Sequence, residues 1–354
     1  MLDLSFYKGK RVLVTGHTGF KGSWLCNILL YLGAKVYGYS LEPPTKPNLY
    51  ELSGIDKKIN SCIGDIRDYI KLKEFLEFAK PDIVLHLAAQ PIVRDSYKDP
   101  RYTYEVNVMG TVNILECIRT ANGNVKSFLN VTTDKVYQNN EWVWGYRETD
   151  ALDGFDPYSN SKSCSELVTH SYSKSFFQYS DVKISTARAG NVIGGGDFAN
   201  DRIIPDCARA TKAGQTIFVR NPNSIRPYQH VLEPLLVYLM ICEKQYIDKS
   251  FAGNYNVGPN DSDCITTGEL VDRFCSSYGE NCSWTYNKEE NAPHEANFLK
   301  LDCSLLKNKF GWKPEWNINQ TIDKTVEWYK AWIKKEDINA VMNSQIKDFM
   351  GEVK

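Results

Sequence analysis

Two clusters of side chains carry the chemistry of this chain. Thr132-Thr133-Asp134-Lys135-Val136-Tyr137 places a hydroxyl, a carboxylate and an amine at the end of an apolar run, Phe128 to Val131. Tyr158-Ser159-Asn160-Ser161-Lys162 then sets a phenol and an ammonium four residues apart, one turn along one helix face. A phenol ionises near pH ~10 in water, and a neighbouring ammonium favours the phenolate, so Tyr158 and Lys162 can take a proton from an alcohol during its oxidation. Thr133, Asp134 and Lys135 add acid-base groups that alcohol oxidation alone does not need.

These groups require a scaffold that brings strand ends and helix starts together. Arg11 to Thr15, Lys35 to Tyr39, Ile83 to Leu87, Phe128 to Val131 and Val182 to Thr186 read as strands, with helix-length segments between them. That alternation predicts an α/β fold: a Rossmann-type, doubly wound parallel sheet covered on both faces, with ligands at the carboxyl ends of its strands. Residues 1–190 form the dinucleotide-binding domain in this reading. Residues 191–354, with prolines at 205, 222, 227, 234, 259, 293 and 314, form a smaller mixed substrate domain from which some chain returns to the first. The charged tail after Trp332 reads as an exposed helix.

The first strand runs into Gly16-His17-Thr18-Gly19-Phe20-Lys21-Gly22 and then a helix predicted from Ser23 to Leu32. Glycines at such a junction permit a tight turn and the close approach of a pyrophosphate to a helix N-terminus. Asp65-Ile66, after the segment Ile59 to Ile63, can accept from an adenine amino group. Leu87-Ala88-Ala89-Gln90 ends the next strand with small residues that let a cofactor lie close. No acid follows the second strand, where Tyr39-Ser40-Leu41 stands, and no arginine is there for a 2′-phosphate, which favours NAD over NADP.

With 354 residues, 42 Lys+Arg against 43 Asp+Glu and a pI near 6.5, the chain has a balanced charge that offers no signature for nucleic acid or a membrane surface. No apolar run reaches the ~18–20 residues of a membrane span, and the first ten residues lack a secretory core, so a cytoplasmic protein with small-molecule partners is expected. Ten scattered cysteines without a C-x-x-C pair read as reduced thiols in or near the core, and no metal site is expected. Arg202, Arg220 and Arg226 suit bidentate phosphate contacts, though each also suits a solvated surface. His294 stands in a loop where nucleotide contact and simple exposure compete. The aromatic segment Trp142 to Glu148 can wall a pocket or pack as a rigid loop.

Together the glycine signature, Thr133 and the Tyr158/Lys162 pair resemble the extended short-chain dehydrogenase/reductases over nearly the whole chain. Asp134 in Thr133-Asp134-Lys135 narrows the resemblance to sugar-nucleotide 4,6-dehydratases, since the related 4-epimerases lack this extra acid and base. Lys135, where dTDP-type enzymes carry glutamate, together with residues 16–24, 141–148 and 225–231, is similar to the CDP-glucose branch. The resemblance implies oxidation at sugar C4, loss of water across C5 and C6, and return of hydride to C6, with CDP-glucose as substrate and NAD as cofactor. It implies catalytic roles for Thr133, Asp134, Lys135, Tyr158 and Lys162. Cofactor contacts would come from residues 16–22, Asp65, Ile66, Leu87, Ala88, Ala89, Gln90, Asn107, Thr132, Tyr158 and Lys162. Asn191, Arg202, Arg220, Arg226 and His294 would serve the substrate. A homodimer or homotetramer is expected, built through helices near Tyr102–Arg119 and Ser159–Tyr179. Two proton inventories stay open: Asp134 as acid with Lys135 as base, or the reverse. A 4-epimerase, or a cofactor-binding regulator without turnover, is the competing reading.

Overall fold

The computed structural model describes residues 2–121, 123–279, 282–286 and 298–352. Its centre is a seven-stranded, wholly parallel sheet made of β1 (Arg11–Thr15), β2 (Lys35–Ser40), β3 (Asn60–Ile63), β4 (Ile83–His86), β5 (Ser127–Thr133), β6 (Lys183–Ala189) and β7 (Asn254–Val257), in the order β7-β6-β5-β4-β1-β2-β3. Every residue of β5 is buried, its polar Ser127, Asn130, Thr132 and Thr133 included, because a central parallel strand is covered on both faces. The order reverses between β1 and β4, and β7 comes from late in the chain to pair with β6.

The helices that position chemistry are α1 (Phe20–Tyr31), α2 (Gly110–Thr120), α3 (Pro157–Ser175), α4 (Leu232–Ile247), α5 (Ile318–Ile333) and α6 (Ile338–Met350). α3 begins two residues earlier than the sequence reading placed it, because Asp156 caps it by accepting from Ser159 N at 3.0 Å and Pro157 occupies the first turn. The segment read as one helix from Tyr102 to Arg119 is broken: Pro100–Tyr104 and α2 flank a π-helical turn, Glu105–Met109. The tail departs from expectation more clearly. α6 is amphipathic, and Ile338, Met342, Ile346 and Phe349 bury its apolar face against α1 and α5, with Asn27 Nδ2 donating to Asn343 Oδ1 at 3.1 Å.

All ten cysteines are free thiols; five are buried, and Cys275 and Cys282 approach to 2.9 Å between sulfurs. Among the described residues no helix is long and apolar enough to cross a membrane. Glu233 in α4 ties the C-terminal helices down: its Oε1 accepts from Glu315 N (2.8 Å) and Trp316 N (2.7 Å) while Oε2 is buried without a partner. Burial pushes this carboxyl up to about 7 against the pull of those two N–H groups. Because its folded value lies above the ordinary 4.5, Glu233 contributes stability that is complete below pH 4.5 and lost as pH rises through about 7. Glu233→Gln keeps the acceptor and removes the titration. Its stability relative to the parent, followed by urea midpoints, should therefore rise across that window.

Candidate active site

The glycine turn follows β1 directly. Gly16 has φ +75°, and a Cβ there would fall 2.8 Å from Ala88 N; one on Gly22 would meet Gly16 O at 2.1 Å. A Cβ on Gly19 would meet only Gly16 O, at 3.4 Å, so this glycine is not demanded by packing and leaves room for a phosphate at the N-terminus of α1. Thr18 Oγ1 reaches across to Ser40 Oγ (2.9 Å) and Leu41 O (2.9 Å), fixing the turn to the end of β2.

Several side chains expected at the cofactor are committed within the protein. His17 is fully buried, its Nε2 2.7 Å from Ser61 Oγ, and burial lowers its pKa to about 4, which makes it a packing histidine. Asp65 is gripped by Arg67 at 2.8 Å, which holds its carboxyl below the usual range, beside a shallow surface depression shared with Glu105 and Met109. Ile66 packs beneath Gly110. Asn107, in the π-helical turn, accepts from Gln90 N (2.8 Å) and donates to Gln90 O (3.1 Å) and Ser161 Oγ (2.9 Å). Gln90 in turn accepts from Ile92 N and donates to Thr103 Oγ1. This clamp shapes the loop after Leu87-Ala88-Ala89. Its polar atoms are already satisfied.

At the end of β5 a single turn of 3-10 helix, Asp134–Val136, presents the acid-base cluster that the sequence marked. Thr133 Oγ1 donates to Asp134 Oδ1 at 3.0 Å, and Lys135 Nζ donates to the same oxygen at 3.2 Å. Asp134 is fully buried and its Oδ2 has no hydrogen-bond partner, whereas the Lys135 side chain is 32% exposed. Tyr158 lies in the first turn of α3. Burial raises its phenol to about 12, with the Thr133 hydroxyl and the Arg202 charge pulling down and Asp134 pushing up. Lys162, one turn on, donates to Val131 O at 3.2 Å; burial lowers it to about 8 while Glu166 holds it up. The sequence suggested Lys162 as the group that keeps the phenol near ionisation. In the structure burial outweighs any such help, and Thr133 and Arg202 are the groups that counter it.

Beneath this layer lies a buried ion pair that the sequence did not announce. Glu166 accepts from Arg188 Nη2 (3.0 Å), from Thr186 Oγ1 (2.7 Å) and from Thr132, and Arg188 Nη1 donates to the Tyr137 hydroxyl (2.8 Å). Spacing offered one signal: Glu166 follows Lys162 by four residues on the same helix face.

A cavity of about 410 Å³ opens at the carboxyl ends of the strands, lined by Thr132, Thr133, Lys135 and Tyr158 together with Lys21, Asn191, Arg202, Arg220 and Arg226. Three widely separated stretches of sequence thus meet in one space. Asp134 and Lys162 lie behind this wall and are not part of it. Arg202 pairs with Asp197 at 2.9 Å and Arg220 with Asp201 at 2.6 Å, while Arg226 is buried and donates to Ile225 O. Arg94, Asn139, Ser224, Tyr228 and Thr267 also line the cavity and were not chosen as site residues. Arg94 could have been found, since it lies just past Gln90, in the short helix Val93–Lys98 that follows the carboxyl end of β4. In the segment 141–148 Glu141 touches the cavity, while Trp142 stacks on Tyr146 at 5.7 Å and Tyr146 on Tyr137 at 5.3 Å, so the aromatics pack as a rigid ladder. His294 lies outside the described residues.

Comparison with known proteins agrees with this geometry. The family model described as GDP-mannose 4,6 dehydratase matches residues 13–325. A CDP-glucose 4,6-dehydratase of Salmonella typhimurium is 48% identical over 356 residues, 99% of each chain. A probable dTDP-glucose 4,6-dehydratase of Sinorhizobium fredii is 27% identical over 90% of this chain and 92% of its own. Among solved structures, the UDP-glucose 4-epimerase of Thermotoga maritima aligns with a TM-score of 0.79 at 20% identity, covering 91% of this chain and 99% of its own. The dTDP-glucose 4,6-dehydratase of Bacillus anthracis aligns at 0.75 and 22% identity, over 92% and 98%. At such identities these two speak for the fold alone. With the family model spanning most of its length and a relative nearly half identical from end to end, the chain belongs to the GDP-mannose 4,6 dehydratase family, the nucleotide-sugar dehydratases of the short-chain dehydrogenase/reductase superfamily.

Proposed function

We propose that this protein is a hydro-lyase that converts CDP-glucose to CDP-4-keto-6-deoxyglucose and water, with NAD as its resident cofactor. The observation that carries the reading is the single cavity in which Thr133, Lys135 and Tyr158 face Asn191 and three arginines. Its lining combines groups for redox and elimination with cations for a diphosphate. The S. typhimurium relative supports cytosine as the base and glucose as the sugar. The glycine turn, the room beside Gly19 and the N-terminus of α1 suit the pyrophosphate of NAD, with Thr18 and Ser40 near the second strand where its ribose would rest. NAD held there would supply the hydride acceptor for C4 and the hydride donor for C6.

The protein's own residues have distinct tasks in this reading. Thr133 orients the C4 hydroxyl and Tyr158 takes its proton. Lys135, which donates to Asp134 and faces the cavity, is placed to protonate the departing C6 oxygen. Arg226 and Arg220 bracket the diphosphate, beside Asn191. The division into a cofactor-binding part, 1–190, and a substrate-binding part, 191–354, belongs to this reading, as do a cytoplasmic location and a homodimer.

Incubation with CDP-, dTDP- and UDP-glucose and GDP-mannose, with NAD added, tests it. The alkaline absorbance of a 4-keto sugar should develop with CDP-glucose. Turnover of dTDP-glucose alone would overturn the substrate and leave the mechanism standing. Failure with all four would return attention to an epimerase or a regulator.

A further inference from the structure

The sequence placed Lys21 among the pyrophosphate-binding residues of the glycine turn. In the structure its side chain lines the same cavity as Thr133, Lys135 and Tyr158. Its ammonium lies in the electrostatic reach of four groups from different elements: Arg202, Asp134, Lys162 and Lys135. Among the described residues no hydrogen bond or ion pair engages it, unlike Lys135, which is held by Asp134, and Lys162, which is held by Val131 O. The residue is half-buried and lines the cavity wall. That burial, joined by the charges of Arg202, Lys162 and Lys135 and opposed by Asp134, brings its pKa down to about 7. The position in the first turn of α1 adds the positive end of the helix dipole.

We propose that Lys21 is a further catalytic residue, the base that removes the C5 proton of the 4-keto sugar and later returns it. This rests on the dehydratase reading above. The neutral amine takes the C5 proton, and the C5–H electron pair becomes the enolate. Collapse of the enolate forms the C5–C6 double bond and expels the C6 oxygen, which leaves as water with a proton from Lys135. Once hydride has been delivered to C6, the Lys21 ammonium gives its proton back to C5. The proton that Tyr158 took from the C4 hydroxyl replaces the one Lys135 lost, by way of Thr133, which hydrogen-bonds the phenol, and Asp134, which accepts from both Thr133 and Lys135. The sugar has then lost one water, and every protein group regains its starting proton.

The experiment uses the holoenzyme with CDP-glucose and the variants Lys21→Met, Lys21→Arg and Lys21→Ala, each first checked for NAD binding. Reduced nicotinamide absorbance in a single turnover reads the C4 oxidation; solvent deuterium uptake at C5 and 4-keto-6-deoxy product read the elimination. All three variants should oxidise C4 and lose elimination by about 10²–10⁴-fold, and small primary amines should restore part of it to Lys21→Ala. Elimination by Lys21→Arg at the parent rate, or a change in KM without a change in kcat, would overturn the proposal, since arginine can hold an anion and cannot act as a base. Parent enzyme without 4-keto product from CDP-glucose would instead sink the dehydratase reading itself.

Discussion

Lys135→Met should give a folded protein that binds NAD and nucleotide sugar, oxidises C4 and then stalls, with 4-keto-6-deoxy product formed about 10²–10⁴ times more slowly. Methionine preserves most of the unbranched stem and removes only the ammonium. The Lys135 side chain is 32% exposed, but its partner Asp134 is fully buried, so removing the ammonium leaves that carboxylate with fewer partners and lowers stability, which a thermal midpoint measured alongside activity separates from the catalytic loss. Asp134 retains the Thr133 hydroxyl as a donor, which keeps the strand end in place for the redox half. The signature is therefore reduced nicotinamide accumulating in a single turnover without water loss. Lys135→Glu should stall in the same way and bind substrate less well, since it sets a second carboxylate beside Asp134. Undiminished product from either variant removes Lys135 from the elimination step.

The parts of the fold that sequence made legible are those dictated by burial over short stretches. β1 runs over the residues its apolar pattern marks, and β5 continues to Thr133 because both of its faces are covered. The tail was misread for the opposite reason. Lys334, Lys335 and Glu336 dominate its composition, while its apolar residues at 338, 342, 346 and 349 recur at helical spacing and need a partner face that only the tertiary structure supplies. The π-helical turn had no marker, because its register is set by the Asn107 clamp to Gln90.

Within the site, residue types were legible and partners were not. Thr133, Lys135 and Tyr158 meet in the cavity as their spacing implies, since a strand end and a helix start must converge at the sheet's carboxyl edge. Asp65 and Asn107 carry the right chemistry for a cofactor, yet Arg67 and the Gln90 backbone occupy them, and neither pairing follows from spacing alone. That the Lys21 side chain lines the same cavity as Tyr158 did not follow from the sequence, because a glycine-rich turn fixes the path of the backbone and says little about where a long side chain points.

Tyr158→Phe should abolish the earlier step, with neither reduced nicotinamide nor product formed and a loss of about 10²–10⁴-fold. The protein environment alone leaves this phenol at about 12, so at neutral pH it is almost wholly protonated. Each unit by which a bound positive charge lowers that value corresponds to ~1.4 kcal/mol of preference for the phenolate. Arg202 already acts in that direction, whereas Asp134 opposes it. Removing the Arg202 charge therefore raises the phenol further. In Arg202→Gln the rising limb of the single-turnover oxidation rate against pH should move to higher pH, with the plateau rate approached once the phenolate forms. Asp134→Asn removes the opposing charge and should move the same limb to lower pH. Phenylalanine at 158 has no such limb, so oxidation that persists in Tyr158→Phe with an unchanged pH profile would exclude Tyr158 as the base.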